Sequence, residues 1–478
     1  MEMDLHSLIP LLPELVLLLA GCAILVLDLF LTDRQRDLTY VLSLVALAAA
    51  AAAAIGVGGS GREVVMSGNF VRDPLADALK VAIFIVTALA FVYSRGYLQI
   101  RKLYKGEYYV LGLFAALGMS VTVSAGSFLT AYLGLELLTL CLYALVAFDR
   151  DSGAGSEAAI KYFVLGALAS GLLLYGISMI YGATGALDFA TVSETLRQTG
   201  TDRTVLVFGV VFIVIGIAFK FGAVPFHMWV PDVYHGAPTP VTLLLGSAPK
   251  IAAFALAMRL LGDGLGALHA DWQDMLVLLA VASLAVGNLV AIAQTNIKRM
   301  LAYSTISHVG FIFLGLLAGT PDGAAAAMFY AILYALMAAG AFGVLVLLSR
   351  EGLEAEQVED LRGLNQRSPW FAGMMLLLMF SMAGVPPTAG FFAKLFVLDA
   401  VIGIDMVWLA IVGVAFSIIG AFYYLRVVKV MYFDTAVDES PLTAPADAVW
   451  VLSLNGLTML ALGFFPAALL SVCTAAVA

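Results

Sequence analysis

The chain has 478 residues, of which 62% are hydrophobic and only 12% are Asp, Glu, Lys or Arg. A soluble domain carries about a quarter charged residues, so this composition excludes a soluble globular protein and predicts an integral membrane protein. The net charge of -9 does not indicate the partners of this chain. In membrane proteins the informative quantity is how Lys and Arg are divided between the two sides of the membrane, and not the total charge. Apolar runs close to the roughly 20 residues of a spanning helix recur along the chain. Since alternating barrel strands are absent, the predicted fold class is all-α.

The apolar runs predict fourteen transmembrane helices, which puts both termini on the same side of the membrane. The predicted spans are Leu8–Phe30, Leu38–Val57, Leu75–Tyr93, Tyr108–Val123, Ser127–Phe148, Ala159–Tyr181, Val205–Val224, Val241–Leu261, Trp272–Ala293, Met300–Ala318, Ala324–Leu348, Pro369–Leu398, Met406–Met431 and Val449–Val472.

Lysine and arginine in the loops predict the orientation. One set of alternate loops holds fourteen of these residues and the other holds five. The richer set is expected to face the cytoplasm, so both termini are predicted on the periplasmic side. The richer set is Arg34, Arg36, Arg95, Arg101, Lys102, Lys105, Arg150, Lys298, Arg299, Arg350, Arg362, Arg367, Arg426 and Lys429, and the other is Arg62, Arg72, Arg197, Arg203 and Arg259.

The remaining five of the 24 basic residues lie within or at the edges of predicted spans: Lys80, Lys161, Lys220, Lys250 and Lys394. Lys80 and Lys161 lie near the starts of their spans, so snorkelling to the interface is the simplest interpretation of both. Lys250 lies about nine residues into its span, roughly 14 Å from the nearer end at 1.5 Å per residue. A lysine stem does not reach that far, and a central charge costs roughly 2.5–3.5 kcal/mol. Lys250 is therefore a candidate functional residue.

Glu136 is the only acidic residue in its span and lies about nine residues from the start. An unpaired carboxylate in hydrocarbon is protonated, so this side chain is either neutral or next to a cation. A lysine on a neighbouring span is the natural partner.

Two of the predicted spans contain helix breaks. The seventh ends around Lys220–Pro225, and the twelfth contains the sequence AGVPPTAG at 383–390, shortly before Lys394. Proline removes a backbone donor and clashes with the preceding turn, so both helices are expected to open there and leave carbonyl groups free. In a membrane, such backbone is tolerated only against protein or a water-filled cavity.

The two breaks lie five spans apart, which suggests that spans four to eight and nine to thirteen are two copies of one unit. Because five is odd, the second copy enters from the opposite side, and this gives an inverted repeat. Paired broken helices in corresponding positions point to a transport site near the midplane. The predicted organisation is N-terminal helices at 1–105, repeats at 106–265 and 266–435, and a last helix at 436–478.

Other motifs give weaker signals. The glycines of GVGGSG at 56–61 have the spacing of a dinucleotide fingerprint but follow a membrane helix, so a flexible turn is predicted. His308, about eight residues into the tenth span, is either a hydrogen-bonded structural histidine or a proton relay. The segment Glu351–Arg367 is predicted to be a solvated cytoplasmic loop. No cofactor-binding or metal-binding motif is predicted in this chain, since its cysteines are scattered and its histidines lack a third ligand.

Four stretches closely resemble the antiporter-like membrane subunits of bacterial respiratory complex I, the proton-pumping NADH:quinone oxidoreductase. They are AFKFGAVPFHMWVPDVYHGAPTPV from Ala218, SAPKIAAF from Ser247, KRMLAYSTISHVGF from Lys298 and SMAGVPPTAGFFAKLFVLDA from Ser381. The resemblance runs from about Tyr108 to Met431. It is to the N type in particular, because of the PFHMW connector, the lysine at position 394 and the length. The wider family includes subunits of multisubunit cation/proton antiporters.

The resemblance implies a fourteen-helix subunit with two inverted five-helix halves and a buried proton relay. In the family, a glutamate on span five pairs with a lysine on span seven, a central lysine lies on span eight and another ionisable group lies on span twelve. These roles fall on Glu136, Lys220, Lys250 and Lys394, with His308 as the link between the halves. Lys161 matches a family position at the start of span six only loosely.

The resemblance also implies partners. Other complex I membrane subunits, including antiporter-like neighbours, would contact this chain in the bacterial inner membrane, and NADH, FMN, iron–sulfur clusters and quinone would lie in partner subunits. Two alternatives stay open. An Mrp-type cation/proton antiporter subunit would share these lysines, whereas a structural spacer would tolerate leucine in place of the central charges.

Overall fold

The computed structural model describes residues 5–198, 203–349, 353–436, 442 and 444–478. Thirteen helices within these ranges are long and apolar enough to cross a membrane. Arg350 and Glu351, which the sequence analysis places in a cytoplasmic loop, lie outside the described residues.

The helices follow the apolar runs, because a backbone in lipid must satisfy its hydrogen bonds within its own segment. In chain order the α-helices are α1 (Leu12–Asp28), α2 (Asp37–Val57), α3 (Pro74–Ile100), α4 (Gly106–Val123), α5 (Phe128–Val146), α6 (Gly153–Thr184), α7 (Phe189–Arg197), α8 (Arg203–Phe221), α9 (Trp229–Gly236), α10 (Thr239–Gly246), α11 (Ala248–Ala257), α12 (His269–Ile292), α13 (Ile297–Leu317), α14 (Pro321–Leu348), α15 (Leu364–Arg367), α16 (Pro369–Ala383), α17 (Ala389–Ile402), α18 (Val407–Phe433), α19 (Ala446–Phe464) and α20 (Ala467–Val477). Short 3₁₀-helices cover Leu5–Leu11, Asp33–Gln35, Gly266–Leu268 and Val358–Leu361, and a π-helix covers Met258–Gly264.

The twelfth span consists of two half-helices, α16 and α17, as the sequence predicts. They have 15 and 14 residues, so at 1.5 Å per residue neither crosses a hydrocarbon core of about 30 Å alone. Together they form one crossing, and with the thirteen long helices they give the fourteen predicted spans. The seventh span also breaks where predicted, because α8 ends at Phe221 and α9 begins at Trp229.

Two further breaks differ from the sequence prediction. Span eight is interrupted at Ser247, between α10 and α11. Pro249 in the first turn of α11 explains this break, because its nitrogen cannot donate a hydrogen bond to the preceding turn. The last predicted span, Val449–Val472, ends instead at Phe464, and Pro466 separates α19 from the short α20.

Two connections carry structure that the sequence analysis does not predict. The glycine-rich turn after α2 leads into an antiparallel hairpin of β1 (Glu63–Val65) and β2 (Phe70–Arg72). The short helix α7 follows span six and buries Phe189 and Val192 on one face. Both connections lie on the same side of the membrane as the N-terminus, because each follows an even-numbered span.

Spans eight, ten and eleven form the centre of the molecule. Their most apolar windows are 89%, 94% and 89% buried, whereas spans one, two, thirteen and fourteen are only 33% buried and present a face outward. Lys250 lies on span eight and His308 on span ten. Both side chains are therefore in the protein interior and do not point at lipid.

Candidate functional site

Glu136 and Lys220 are brought together, with a third side chain between them. Ser170 on α6 donates a hydrogen bond to Glu136 Oε1 at 2.5 Å. Lys220 Nζ donates to the same serine hydroxyl at 3.2 Å. The carboxylate and the ammonium are thus linked through a hydroxyl. Ser170 was not predicted from the sequence, although it is a polar residue in the middle of an apolar span.

Lys250 is buried at the break of span seven. Its Nζ donates a hydrogen bond to the carbonyl oxygen of Phe221 at 2.8 Å and lies 5.5 Å from the centre of the Trp229 ring. Phe221 is the last residue of α8, so this carbonyl is one of those that a helix end leaves without an intrahelical partner. The C-terminus of a helix carries partial negative charge, which stabilises a cation there.

Lys394 makes the same kind of contact at the break of span twelve. Its Nζ donates to the carbonyl oxygen of Ala383 at 2.8 Å and to Ser417 Oγ at 2.9 Å. Ala383 is the last residue of α16, and Gly384 follows with φ +84°. A side-chain carbon on Gly384 would lie 2.9 Å from Lys394 Cδ, so the lysine side chain would have to shift if this residue were not glycine.

A small cavity of about 20 Å³ lies between Lys220 and Lys250. Thr139, Tyr162 and Trp229 also line it. A cavity needs roughly 10–15 Å³ and two or more polar partners to hold a water molecule. Lys220 and Lys250 thus both line a space large enough for one water.

His308 is buried in α13 and hydrogen-bonded on both ring nitrogens. Nδ1 lies 2.7 Å from Tyr330 Oη, and Nε2 lies 3.0 Å from Tyr424 Oη. The Tyr330 ring stacks on Phe311 with 5.7 Å between ring centres, and Lys394 Nζ lies 5.2 Å from the Phe311 ring centre. His308 is therefore connected to Lys394 through Tyr330 and Phe311. The sequence analysis did not identify these tyrosines.

Hydroxyl groups also lie on the other side of His308, toward the first half of the chain. Tyr334 Oη donates to Thr305 Oγ1 at 2.6 Å, and the Tyr334 ring centre is 5.0 Å from that of His308. Tyr234, on the connector helix α9, has a fully buried hydroxyl without a hydrogen-bond partner in the described part of the chain. Buried polar groups thus extend from His308 toward the break of span seven.

Lys161 lies apart from these buried side chains. It is half-exposed and forms ion pairs with Asp232 at 2.8 Å and Glu157 at 2.9 Å. Asp232 also accepts a hydrogen bond from Arg299 at 2.9 Å. Burial opposes ionisation of Asp232, but the hydrogen bonds from Lys161 and Arg299 lower the pKa of this carboxyl below its usual value. Lys161 thus belongs to a charged cluster at the membrane edge.

The snorkelling interpretation of Lys80 is wrong. Its side chain is completely buried and its Nζ lies 2.7 Å from Glu14 Oε1, a partner on α1. Arg259, predicted among the outer loop charges, is also buried, in the π-helix that ends span eight. It donates to both carboxylate oxygens of Asp73 at 2.8 and 2.7 Å. Each of these two cations pairs with a carboxylate outside its own helix, Lys80 with Glu14 on α1 and Arg259 with Asp73 at the start of α3. Neither side chain therefore needs to reach the membrane interface.

The segment after span eleven is also less solvated than predicted. Ile297 N donates to the carbonyl of Glu356, and Val358 is buried. Glu356 forms an ion pair with the buried Lys298 at 3.2 Å, and His235 Nε2 lies 3.6 Å from its carboxylate. Although burial alone would raise it, these neighbours lower the pKa of Glu356 to about 2. The described part of this loop is therefore packed and ion-paired against the start of span ten and lies beside the end of α9.

Comparisons with known proteins place this arrangement in a family. Residues 125–420 match the family model described as NADH:quinone oxidoreductase/Mrp antiporter, transmembrane. NADH-quinone oxidoreductase subunit N of Thioalkalivibrio sulfidiphilus is 60% identical over 478 residues, which is 100% of both chains. The chain belongs to the subunit N family of NADH-quinone oxidoreductase. Subunit N of Thiobacillus denitrificans is 57% identical and covers 100% of this chain and 99% of its own.

Solved structures agree with membership of the subunit N family. A chain of respiratory complex I from Thermus thermophilus matches with a TM-score of 0.84 and 31% identity, covering 97% of this chain and 100% of that one. A chain of the Mrp complex from Dietzia also matches with a TM-score of 0.84, but at 21% identity it shows only the shared fold. The resemblance stated from the sequence is therefore confirmed. A subunit N chain is a multi-pass membrane subunit of complex I, the proton-pumping NADH:quinone oxidoreductase.

Proposed function

We propose that Glu136, Lys220, Lys250, His308 and Lys394 of this subunit carry protons across the bacterial inner membrane. The supporting observation is that Lys250 and Lys394 each hold a buried ammonium against the last carbonyl of a broken helix. Burial favours the neutral amine, whereas the negative end of the helix favours the ammonium. A small displacement at either break changes this balance, and the lysine then takes up or releases a proton.

Glu136 sets the affinity of the first lysine for its proton. A carboxylate close to Lys220 favours the ammonium, and protonation or movement of Glu136 removes that support. Ser170, which contacts both groups, transmits the change as a hydrogen-bond donor and acceptor. The proton then passes through the cavity between Lys220 and Lys250 and continues by way of His308 to Lys394.

The energy comes from other subunits in this proposal. Moving one charge outward against 100 mV requires about 2.3 kcal/mol. NADH, FMN, iron–sulfur clusters and quinone belong to partner subunits of complex I, and antiporter-like neighbours transmit the coupling. Lys161 stays outside the relay, because its charge is half-exposed and paired at the membrane edge.

The proposal includes the predicted orientation and organisation. Both termini lie on the periplasmic side, because the loops on the opposite side contain more Lys and Arg. Residues 1–105 are N-terminal helices, 106–265 and 266–435 are inverted repeats that each contain a broken helix, and 436–478 complete the chain. The positions of the breaks, five spans apart at α8/α9 and α16/α17, support this division.

Replacement of Lys250 by methionine tests the proposal. The intact complex is reconstituted in vesicles, and protons pumped per NADH oxidised are measured for the parent and the variant. Lys250→Met should abolish or sharply lower pumping while the complex still assembles. Lys429→Met is the matched control, because Lys429 is exposed and paired with Asp434. Parental pumping by a normally assembled Lys250→Met complex would reject the proposal.

The alternative is a subunit of an Mrp-type cation/proton antiporter. The fold that this chain shares with the Dietzia chain is compatible with that function. Both functions use buried lysines, so lysine variants do not separate them. Purification from the native membrane does. Co-purification of NADH-oxidising and quinone-reducing subunits supports complex I, whereas co-purification with antiporter subunits alone supports the alternative.

A further inference from the structure

A second buried group of glutamate, serine and lysine lies in the N-terminal helices, outside residues 125–420. Lys80 Nζ on α3 lies 2.7 Å from Glu14 Oε1 on α1. Ser120 on α4 donates a hydrogen bond to the same oxygen at 2.5 Å. The group combines the residue types of Glu136, Ser170 and Lys220, again on three different helices.

Stability alone is a poor explanation for this ion pair. Lys80 is fully buried and the Glu14 side chain is 8% exposed. Removing two charges from water costs about as much as their attraction returns, so well-packed apolar residues are often equally stable at such positions. An ionisable side chain within a membrane span is by default a candidate for function.

The hydrogen bonding of the pair is incomplete on both sides. Glu14 Oε1 has two partners, whereas Glu14 Oε2 is buried with none in the described part of the chain. Lys80 Nζ is paired by charge with Glu14 Oε1 but has no partner in hydrogen-bond geometry among the described residues, and its other neighbour is the Phe70 ring, 5.0 Å away. Buried polar atoms normally have a partner, and an orphaned oxygen often marks a site for water. Glu14 Oε2 is thus the free position for a proton or a hydrogen-bonded water.

A row of ionisable side chains on α3 leads from this position toward the N-terminal side. Asp73, Asp77 and Lys80 follow one face of α3, over roughly 10 Å at 1.5 Å per residue. Asp77 is 14% exposed and accepts a hydrogen bond from Arg72 at 3.1 Å, but its Oδ1 has no partner among the described residues. Two unpartnered carboxylate oxygens, on Glu14 and Asp77, therefore lie on either side of Lys80.

The N-terminal end of this row, the buried Asp73, is joined to the span that carries Lys250. Asp73 caps α3 and is held at both oxygens by Arg259, in the π-helix at the end of span eight. Two charged hydrogen bonds thus join the end of span eight to the start of α3.

We propose that Glu14 is a proton-exchanging site that communicates with the N-terminal side of the membrane, the periplasmic side in the orientation proposed above. A proton from water at Asp77 binds Glu14 Oε2, the carboxylate becomes a neutral carboxyl group, and Lys80 keeps its charge. Release reverses this step through Asp77. Lys80, Ser120, Asp77 and Arg72 are the charged and hydroxyl groups that face the site from α3, α4 and β2. The inference rests on the proposed proton translocation and adds to it a site outside the central relay.

Infrared difference spectroscopy of the carboxyl band tests this site without measuring pumping. The intact complex in vesicles is exposed to pH steps on one side at a time. A carboxyl band should respond to the pH on the N-terminal side, disappear in Glu14→Gln and persist in Glu63→Gln, a control at an exposed carboxylate. If Glu14→Gln removes no band, or the band follows only the pH of the opposite side, the proposal is overturned.

The double variant Glu14→Leu/Lys80→Leu distinguishes a proton site from a structural contact. It removes both charges and keeps apolar packing, so the complex should assemble and pump fewer protons per NADH oxidised than the parent. Assembly with parental pumping means that the pair is only structural and overturns the inference. Lys250→Met is measured in parallel to separate the two proposals. If Lys250→Met loses pumping and the double variant does not, the proposal for the central relay stands and the proposal for Glu14 fails.

Discussion

Lys220 Nζ lies 3.2 Å from Ser170 Oγ, so the immediate partner of this lysine is a hydroxyl group on span six. The same hydroxyl donates to Glu136. A serine can donate one hydrogen bond and accept others at once. Ser170 therefore joins the carboxylate on span five to the lysine on span seven by hydrogen bonds.

We expect Ser170→Ala to uncouple Glu136 from Lys220. Loss of a buried hydrogen bond costs about 1 kcal/mol, so proton pumping should fall by roughly fivefold while Ser170→Thr retains most of it. The measurement is the initial rate of vesicle acidification by the reconstituted complex. Ser178→Ala, at an exposed position on the same helix, should behave like the parent. Equal pumping by Ser170→Ala and Ser178→Ala would show that the serine is not a link.

Tyr424 and Tyr423 offer a matched test of the hydrogen bonding of His308. The Tyr424 hydroxyl contacts His308 and Ser304, whereas the Tyr423 hydroxyl donates to Asn288. Tyr424→Phe removes only the hydroxyl and should lower pumping by roughly fivefold, in proportion to one buried hydrogen bond of about 1 kcal/mol. Tyr423→Phe should assemble normally and pump like the parent. The idea fails if both variants pump equally.

Gly384→Ala should damage the break of span twelve. The residue has φ +84°, which costs a non-glycine residue about 1–2 kcal/mol, and the new Cβ would lie 2.9 Å from Lys394 Cδ. We expect a lower melting temperature of the subunit and loss of pumping, because Lys394 is pushed from the Ala383 carbonyl. Gly373→Ala, in α16 with no atom within 4 Å of the new carbon, should be neutral or slightly stabilising. Similar melting temperatures for the two variants would contradict this account.

The ion pairs of Glu356 should hold the loop after span eleven over a wide pH range. Burial opposes ionisation, but His235 and Lys298 lower the pKa of Glu356 from 4.5 to about 2. Because the pKa is lower in the folded state than in the unfolded state, the ionised carboxylate stabilises the fold at pH values above about 4.5. This stabilisation is lost as the pH falls through about 2. Hydrogen exchange of the Ile297 and Val358 amides should therefore report an equally protected loop at pH 7 and pH 5.

Glu356→Gln should raise exchange at those amides at both pH values, because the charge pairs are gone. Glu359→Gln is the control, since Glu359 is exposed and its ion pair among the described residues is with Arg362 in the same turn. Equal protection in Glu356→Gln and Glu359→Gln would mean that the ion pairs do not hold the loop.

Much of the fold could be predicted from the sequence because the relevant physics is local. Twenty apolar residues must form a helix in lipid whatever surrounds them, and proline opens a helix wherever it occurs. The prolines therefore predict the helix breaks near Lys220 and before Lys394. They also predict that carbonyl groups at these breaks are free to accept hydrogen bonds from lysines. Even the missed break in span eight had a local signal in Pro249.

The partners of the charged side chains could not be predicted in this way. Depth within a span suggested that Lys80 reaches the interface, but Glu14 on another helix is closer, and the sequence carries no distance between α1 and α3. Ser170, Tyr330 and Tyr424 were missed for the same reason, since a hydroxyl group in an apolar span gives no sign of which neighbour it faces.

The sequence by itself determined where this chain crosses the membrane, where its helices break and which charges lie too deep for water. The tertiary structure decided which of those charges meet. A span fixes the depth of a side chain through its rise per residue, whereas its direction and neighbours depend on how the helices pack around it.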